Sequence, residues 1–246
     1  MSAALTQHQI EIQRNLRAWQ GKPLLRTIYS NFNDRILPLI DRALPGAVVE
    51  IGSGIGNLKS RLPEAVATDL FPNPWLDAVC DGYELPFAAG SISHLILFDV
   101  FHHLRAPQAF FREAARVLGA RGRVILFEPY ISAFSYPIYG LLHHEPVALR
   151  ENISQADTLS RPRDYYAAQG NATRLFFSTT GAPGLNQWAV FHREAFASFS
   201  YLFSGGFSRA AIYPFGLLPM AQKIDRWLSR WPRLFGARCL IGLRRE

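Results

Sequence analysis

The stretch that decides the fold is "VVEIGSGIGN", residues 48–57. Val48, Val49 and Ile51 are β-branched and favour an extended chain, and they lead into glycines at 52, 54 and 56. Glycine adopts backbone angles denied to other residues and lets a ligand approach the main chain. The pattern therefore predicts a strand running into a tight, ligand-facing turn, with a helix N-terminus beyond it that favours negative charge. The spacing is G-x-G-x-G, with Asn57 where the dinucleotide fingerprint needs its third glycine, and no Gly-Lys-Ser/Thr follows as a nucleotide phosphate loop requires.

Outward from that turn, "AVVEI", "AVATDL", "DAVCD", "SHLILFDV" and "RVILFEP" are short apolar runs suited to strands buried on both faces of a parallel sheet. Between the last two lies "RAPQAFFREAARVLGARG", where Pro107 suits a first helical turn and Gly119 sits where a helix stops. Strands alternating with helices predict a doubly wound α/β domain. Residues 1–45 read as a helical segment broken near "GKP" at 21–23, and residues 46–246 as the domain proper. Within it, residues 130–205 are rich in Tyr and Phe and read as an insertion or lid. "SRAAIYPFGLL" (208–218) and "ARCLIGLRR" (237–245) read as two further strands around a basic amphipathic helix at about 217–235.

Composition sets the outer limits. The 246 residues are 49% apolar and 18% charged, which fits a folded globular chain and is too apolar for disorder. The N-terminal stretch has polar and charged residues throughout, and no run approaches the roughly 18 apolar residues of a spanning helix. A soluble, cytoplasmic protein is expected. Cys80 and Cys239 lie far apart in apolar stretches and imply neither a disulfide nor a zinc framework. The net charge of +7 is concentrated at residues 221–246, where seven basic residues face Asp225 and Glu246.

An open α/β sheet binds ligands at the carboxyl ends of its strands. Asp69 ends the second strand, where a carboxylate can accept from both hydroxyls of a ribose, although that alone does not separate NAD from other nucleosides. Asp81 ends the third strand and could accept from an adenine amino group, with Leu85 and Phe87 nearby. Taken in order, "VVEIGSGIG", the Asp69 strand end, "DGYELPF", "LFDVFHHL" and "FREAARVLGARGRVILFEP" resemble the class I S-adenosylmethionine-dependent methyltransferases of the small-molecule (type 11) group, over about residues 46–130. Ala120 and Arg121 replace the family's usual Pro-Gly, in a turn far from the cofactor.

The resemblance implies a Rossmann-like, seven-stranded α/β sheet with its last strand antiparallel, helices on both faces and S-adenosylmethionine as cofactor. Glu50, Gly52, Ser53, Gly54 and Gly56 would hold its methionine part, Asp69 and Leu70 the ribose, Asp81 and Gly82 the adenine, and Phe98 and Asp99 would lie beside the sulfonium. A sulfonium methyl is already activated, so alignment of the acceptor is the protein's main task, and a general base is needed only for a protonated acceptor.

His102 and His103 follow the fourth strand, where either could be such a base or could merely cap the strand end; His103 is the stronger candidate. "LLHHEP", residues 141–146, offers His143, His144 and Glu145 for substrate contact or base work, with His144 a third catalytic candidate. Adjacent helical histidines point about 100° apart, so no metal site is expected there. Glu128 could meet substrate or cap the turn after its strand, and "SGGF" (204–207) reads as a tight turn or as pocket lining.

The aromatics between 130 and 215 favour a small or medium-sized, partly apolar acceptor. In the basic helix, Ile224, Trp227, Leu228, Trp231, Leu234 and Phe235 form a stripe, with Lys223, Arg226, Arg230 and Arg233 largely to the other side. That stripe suits either packing on the sheet or weak contact with an anionic membrane surface, and hence a peripheral enzyme acting on lipid. The basic residues form no recognition motif, so nucleic acid is not an expected partner. An NAD-dependent oxidoreductase and a non-catalytic scaffold remain as rivals.

Overall fold

The computed structural model describes residues 3–142, 145–149, 166–178 and 185–246. Seven strands form one sheet in the order β3-β2-β1-β4-β5-β7-β6, where β1 is Ala47–Ile51, β2 Val66–Asp69, β3 Ala78–Val79, β4 Ile92–Phe98, β5 Leu118–Pro129, β6 Trp188–Phe196 and β7 Arg238–Arg245. Strands β3, β2, β1, β4 and β5 pair in parallel, and β7 runs antiparallel to both of its neighbours. The strand order reverses between β1 and β4, where the chain leaves β1, builds one side of the sheet and returns to start the other.

Alternation along the central strands feeds two cores. Leu95, Leu97, Val124 and Leu126 face one layer with Phe110 and Phe111 of α3 (Pro107–Val117). Ile96, Ile125 and Phe127 face the other with Leu25, Ile28 and Phe32 of α2 (Pro23–Ile36). Burial on both faces explains why these strands read as unbroken apolar runs. Ahead of α2, α1 (Ala3–Gly21) breaks from it at Lys22, and its His8 ring lies 5.1 Å from Phe71, just past β2.

Two expectations need correction. The stretch 208–218 is no strand: it runs through turns to a short 3-10 segment at Phe215–Leu217, and Ile212 is exposed. Its place in the sheet is taken by β6, from within the stretch assigned to the insertion. β7 offers a free edge, and the extended, aromatic-bearing run Trp188–Phe196 pairs with it from Trp188–Arg245 to Phe196–Arg238, whereas Pro214 removes a donor from the rival segment. The rest of 130–205 that is described includes α4 (Ser135–Leu142), α5 (Asn171–Phe177) and α6 (Phe199–Leu202).

The basic helix is also divided, into α7 (Leu218–Leu228) and α8 (Pro232–Phe235). Its apolar stripe does not pack on the sheet. Leu218 and Asp225 are the buried residues of α7, while Ile224, Trp227, Trp231 and Leu234 are exposed. No helix among the described residues is long and apolar enough to cross a membrane.

Candidate active site

Strand β1 ends at Ile51, and the chain turns at once through three left-handed glycines, Gly52, Gly54 and Gly56, with φ of 68°, 54° and 68°. A side chain on Gly52 would collide with Val100, whereas Gly54 faces open space. Ser53 buttresses the turn from beneath: its N–H donates to the Thr68 carbonyl at 2.8 Å, and its Oγ accepts from the Thr68 N–H at 3.0 Å. The Asp69 carboxylate takes the Gly54 N–H on one oxygen at 3.0 Å and the Leu70 N–H on the other at 2.7 Å. One carboxylate thus ties the glycine turn to β2, and its remaining lone pairs are available to hydroxyl donors.

Glu50 is buried at the end of β1, and its Oε2 has no hydrogen-bond partner. Burial pushes its carboxyl up to about 8, against a smaller opposing pull from Ser53. A buried carboxyl group with one unpartnered oxygen, beside a glycine cradle, is suited to a cationic ligand group. Asp81 accepts from the Tyr83 N–H at 3.0 Å, and Gly82 lies against Ile51 and Leu104. Glu50, Gly52, Ser53, Gly54, Gly56, Asp69, Leu70, Asp81 and Gly82 are therefore brought together at the carboxyl ends of β1, β2 and β3.

Phe98 and Asp99 stand at the end of β4, next to Val100, which lies against Gly52. Phe98 stacks on Phe127 at 4.6 Å and on Tyr29 at 5.1 Å, inside the α2 core. Asp99 adopts a left-handed φ of 57°, and both its oxygens are held by the buried guanidinium of Arg238 on β7, Nη2 to Oδ2 at 2.8 Å. The Arg238 guanidinium also lies over the Tyr201 ring at 4.5 Å. The sequence reading missed Arg238, although a lone arginine opening an apolar strand was the available signal.

The two histidines behind β4 occupy different electrostatic settings. His102 is buried with its Nδ1 2.6 Å from Glu128 Oε2 and its Nε2 3.5 Å from Glu145 Oε2. Burial alone would lower its pKa, but the two carboxylates overcome this and hold it at about 10, so it is protonated at neutral pH. Glu128 also accepts the N–H groups of Val100 at 2.8 Å and Phe101 at 2.6 Å, so it caps the turn after β4 rather than the one after its own strand.

His103 is partly exposed, and its Nδ1 is 2.9 Å from the Tyr166 carbonyl. A carbonyl only accepts, so Nδ1 carries the hydrogen and Nε2, 3.6 Å from Glu145 Oε1, holds the lone pair of the neutral ring. Burial and the neighbouring His102 charge lower its pKa below the ordinary 6.5. Glu145 is held in turn by the Gln169 amide. His143 and His144 lie outside the described residues. One donor atom each from His102, His103 and Glu145 lies within 4.8 Å of the others, a set that could hold a cation once His102 gives up its proton.

Residues 49–126 match the family described as Methyltransferase domain. No curated protein matches the chain. Among solved structures, the fold is shared with a SAM-dependent methyltransferase of Thermotoga maritima, described as a possible histamine N-methyltransferase. The identity there is 14%, with 96% of this chain and 99% of that one covered and a TM-score of 0.54. A geranyl diphosphate methyltransferase in complex with SAM is similar at 12% identity, over 88% of this chain and 85% of that one, with a TM-score of 0.51.

Proposed function

We propose that this chain, which carries a class I S-adenosylmethionine-dependent methyltransferase domain and uses S-adenosylmethionine as cofactor, methylates a small or medium-sized, partly apolar acceptor. The observation that carries the reading is Glu50: a buried carboxylate with an unpartnered oxygen, set beside three left-handed glycines. Glu50 and the backbone of Gly52 to Gly56, with Ser53 shaping the turn, would hold the cofactor's amino-acid end. Asp69, beside Leu70, would take the ribose hydroxyls, and Asp81 with Gly82 the adenine.

When bound, the cofactor supplies a methyl group already activated for displacement at carbon. This chain's residues then have to place the acceptor in line, keep water away and, for a protonated acceptor, remove a proton. His103 is suited to that last task, because its depressed pKa keeps it neutral and its Nδ1 is committed to the Tyr166 carbonyl. His102 is not: as a cation between Glu128 and Glu145 it orders the turn behind β4 and positions its neighbour. Asp99, fixed by Arg238, would stand between the cofactor side and the acceptor side.

Titration calorimetry with S-adenosylmethionine, S-adenosylhomocysteine and NAD tests the reading. Both sulfur nucleosides should bind, NAD should not, and Asp69→Ala should lose them; NAD binding, or no effect of the substitution, overturns it. A second reading, an amphiphilic acceptor drawn from a lipid surface, is favoured by the exposed apolar stripe of α7 and α8.

A further inference from the structure

The outward face of α7 and α8 is built against the usual logic of a surface helix. At about 100° per residue, Met220, Ile224 and Trp227 fall within about 60° of one another, roughly opposite the buried Leu218 and Asp225. Met220 is 54%, Ile224 46%, Trp227 55% and Trp231 44% exposed, and the two tryptophan rings meet edge to face at 5.2 Å. A soluble helix turns such a stripe inward; here it points away from the sheet.

Charge identifies what would cover it. Lys223, Arg226, Arg230 and Arg233 are all exposed beside the stripe. Asp225, the sole carboxylate from 209 to 237, is buried, taking the N–H groups of Phe199 at 2.7 Å and Ser200 at 3.2 Å. A second copy of the chain packed symmetrically on this face would set cation against cation. Apolar anchors including two tryptophans, flanked only by cations, match the interface of an anionic bilayer.

The position of the face also matters. The Ala133 N–H donates to the Arg233 carbonyl at 3.2 Å and the Phe134 N–H to the Leu234 carbonyl at 2.9 Å, so α8 is fastened to the segment that follows Pro129 of β5. That is the strand end bearing Glu128, which holds His102. Phe134 and Tyr136 are exposed on the same segment. We infer that Met220, Ile224, Trp227 and Trp231, with the flanking cations, form a docking surface for an anionic phospholipid bilayer, which sets the acceptor side of the crevice beside the lipid.

The surface itself stands on exposure and charge; only its use in fetching an amphiphilic acceptor rests on the methyl-transfer reading. The test is co-sedimentation of the full chain with vesicles of phosphatidylcholine alone and of equimolar phosphatidylcholine and phosphatidylglycerol. Binding should be to the anionic vesicles and should weaken as salt rises from about 0.1 to about 0.5 M. Trp227→Ala with Trp231→Ala, and separately Lys223→Ser with Arg226→Ser and Arg230→Ser, should each lower it at least about tenfold. S-adenosylmethionine affinity and thermal unfolding should not change, because these side chains are exposed.

Failure of the wild-type chain to bind anionic vesicles, or equal binding by both variants, overturns the inference. So does a vesicle-free dimer that the double tryptophan variant converts to monomer, which assigns the face to a second copy. Vesicle binding without S-adenosylmethionine binding would leave the docking surface standing and sink the methyl-transfer reading instead.

Discussion

The two halves of the sheet do different work by different means. On the side of β3, β2 and β1 the site is made of backbone: left-handed glycines, N–H groups and a carboxylate that clamps the turn to the next strand. On the side of β4, β5 and β7 it is made of side chains joined across long stretches of sequence, Asp99 with Arg238 and His102 with Glu128 and Glu145. In the proposed reading the first half holds the cofactor with that turn and three carboxyl groups, those of Glu50, Asp69 and Asp81. In the proposed reading the second half faces the acceptor, through parts held by their mutual geometry.

That contrast is open to attack from both sides. The largest effect is expected on the side-chain half: Arg238→Met leaves the Asp99 carboxylate without its buried partner and should cost about 3 kcal/mol of stability. Adding Asp99→Asn should restore most of the loss in denaturant unfolding; a double variant as unstable as the single one would show that the pair is not the reason. On the backbone half, Asp69→Ala should instead lower S-adenosylmethionine affinity about a hundredfold, since the charge-assisted hydrogen bonds that the proposed reading gives it to both ribose hydroxyls would be lost. Its effect on stability should stay below about 1 kcal/mol, the worth of its surface hydrogen bonds to Gly54 and Leu70.

The paired histidines sharpen the comparison within the second half. His103→Ala should cut kcat about a hundredfold on a protonated acceptor while leaving cofactor affinity unchanged. The wild-type rate should be flat above the ordinary histidine value of 6.5 and fall only at lower pH, because the folded pKa of His103 lies below it. His102 works the other way. Its pKa is raised from 6.5 to about 10, so its contribution to stability is complete below 6.5 and is lost as pH climbs through about 10. Thermal unfolding followed across that window should show the decline, and His102→Gln should flatten it.

The smallest effect belongs to Glu50. With its carboxyl raised to about 8, it is mostly protonated at pH 7 and must give up that proton to meet a cationic ligand group. Cofactor affinity should therefore rise about fivefold between pH 7 and 8, with proton release visible as calorimetric enthalpies that differ between buffers. Equal enthalpies in buffers of unlike ionisation heat would remove Glu50 from the amino-group site.

Legibility in the sequence follows the same division. The glycine turn and the strand ends that carry Asp69 and Asp81 were readable because turns and strand ends obey local rules; that Asp69 clamps the turn was not. β4, β5 and β7 were readable because burial on both faces leaves a continuous apolar run, whereas β1 and β2 are buried only in part and β3 is two residues with Val79 exposed, so these three were legible as short apolar runs alone. Arg238 stands at the head of such a run, and its partner Asp99 lies 139 residues away in a different motif. Glu145 met His102 and His103 only through the path of the chain after β5, which no spacing rule describes. The exchange of 208–218 for β6 has the same origin: both stretches can extend, and pairing with β7 decides between them. The apolar stripe of α7 was visible by its period, but a period does not say which way a face points.

The placing of β7 between β5 and β6 bears on how the chain is made. β6 leaves the ribosome before the strand it must pair with, and among the described residues no other strand borders it. Until Arg238–Arg245 emerges, both β6 and the outer edge of β5 present unpaired backbone, so the nascent chain carries two open edges through the last part of its synthesis. Those edges are closed by contacts distant in sequence, which form slowly. The window between synthesis of β6 and arrival of β7 is thus where this protein is most exposed to misassociation, and where a chaperone would have most to do.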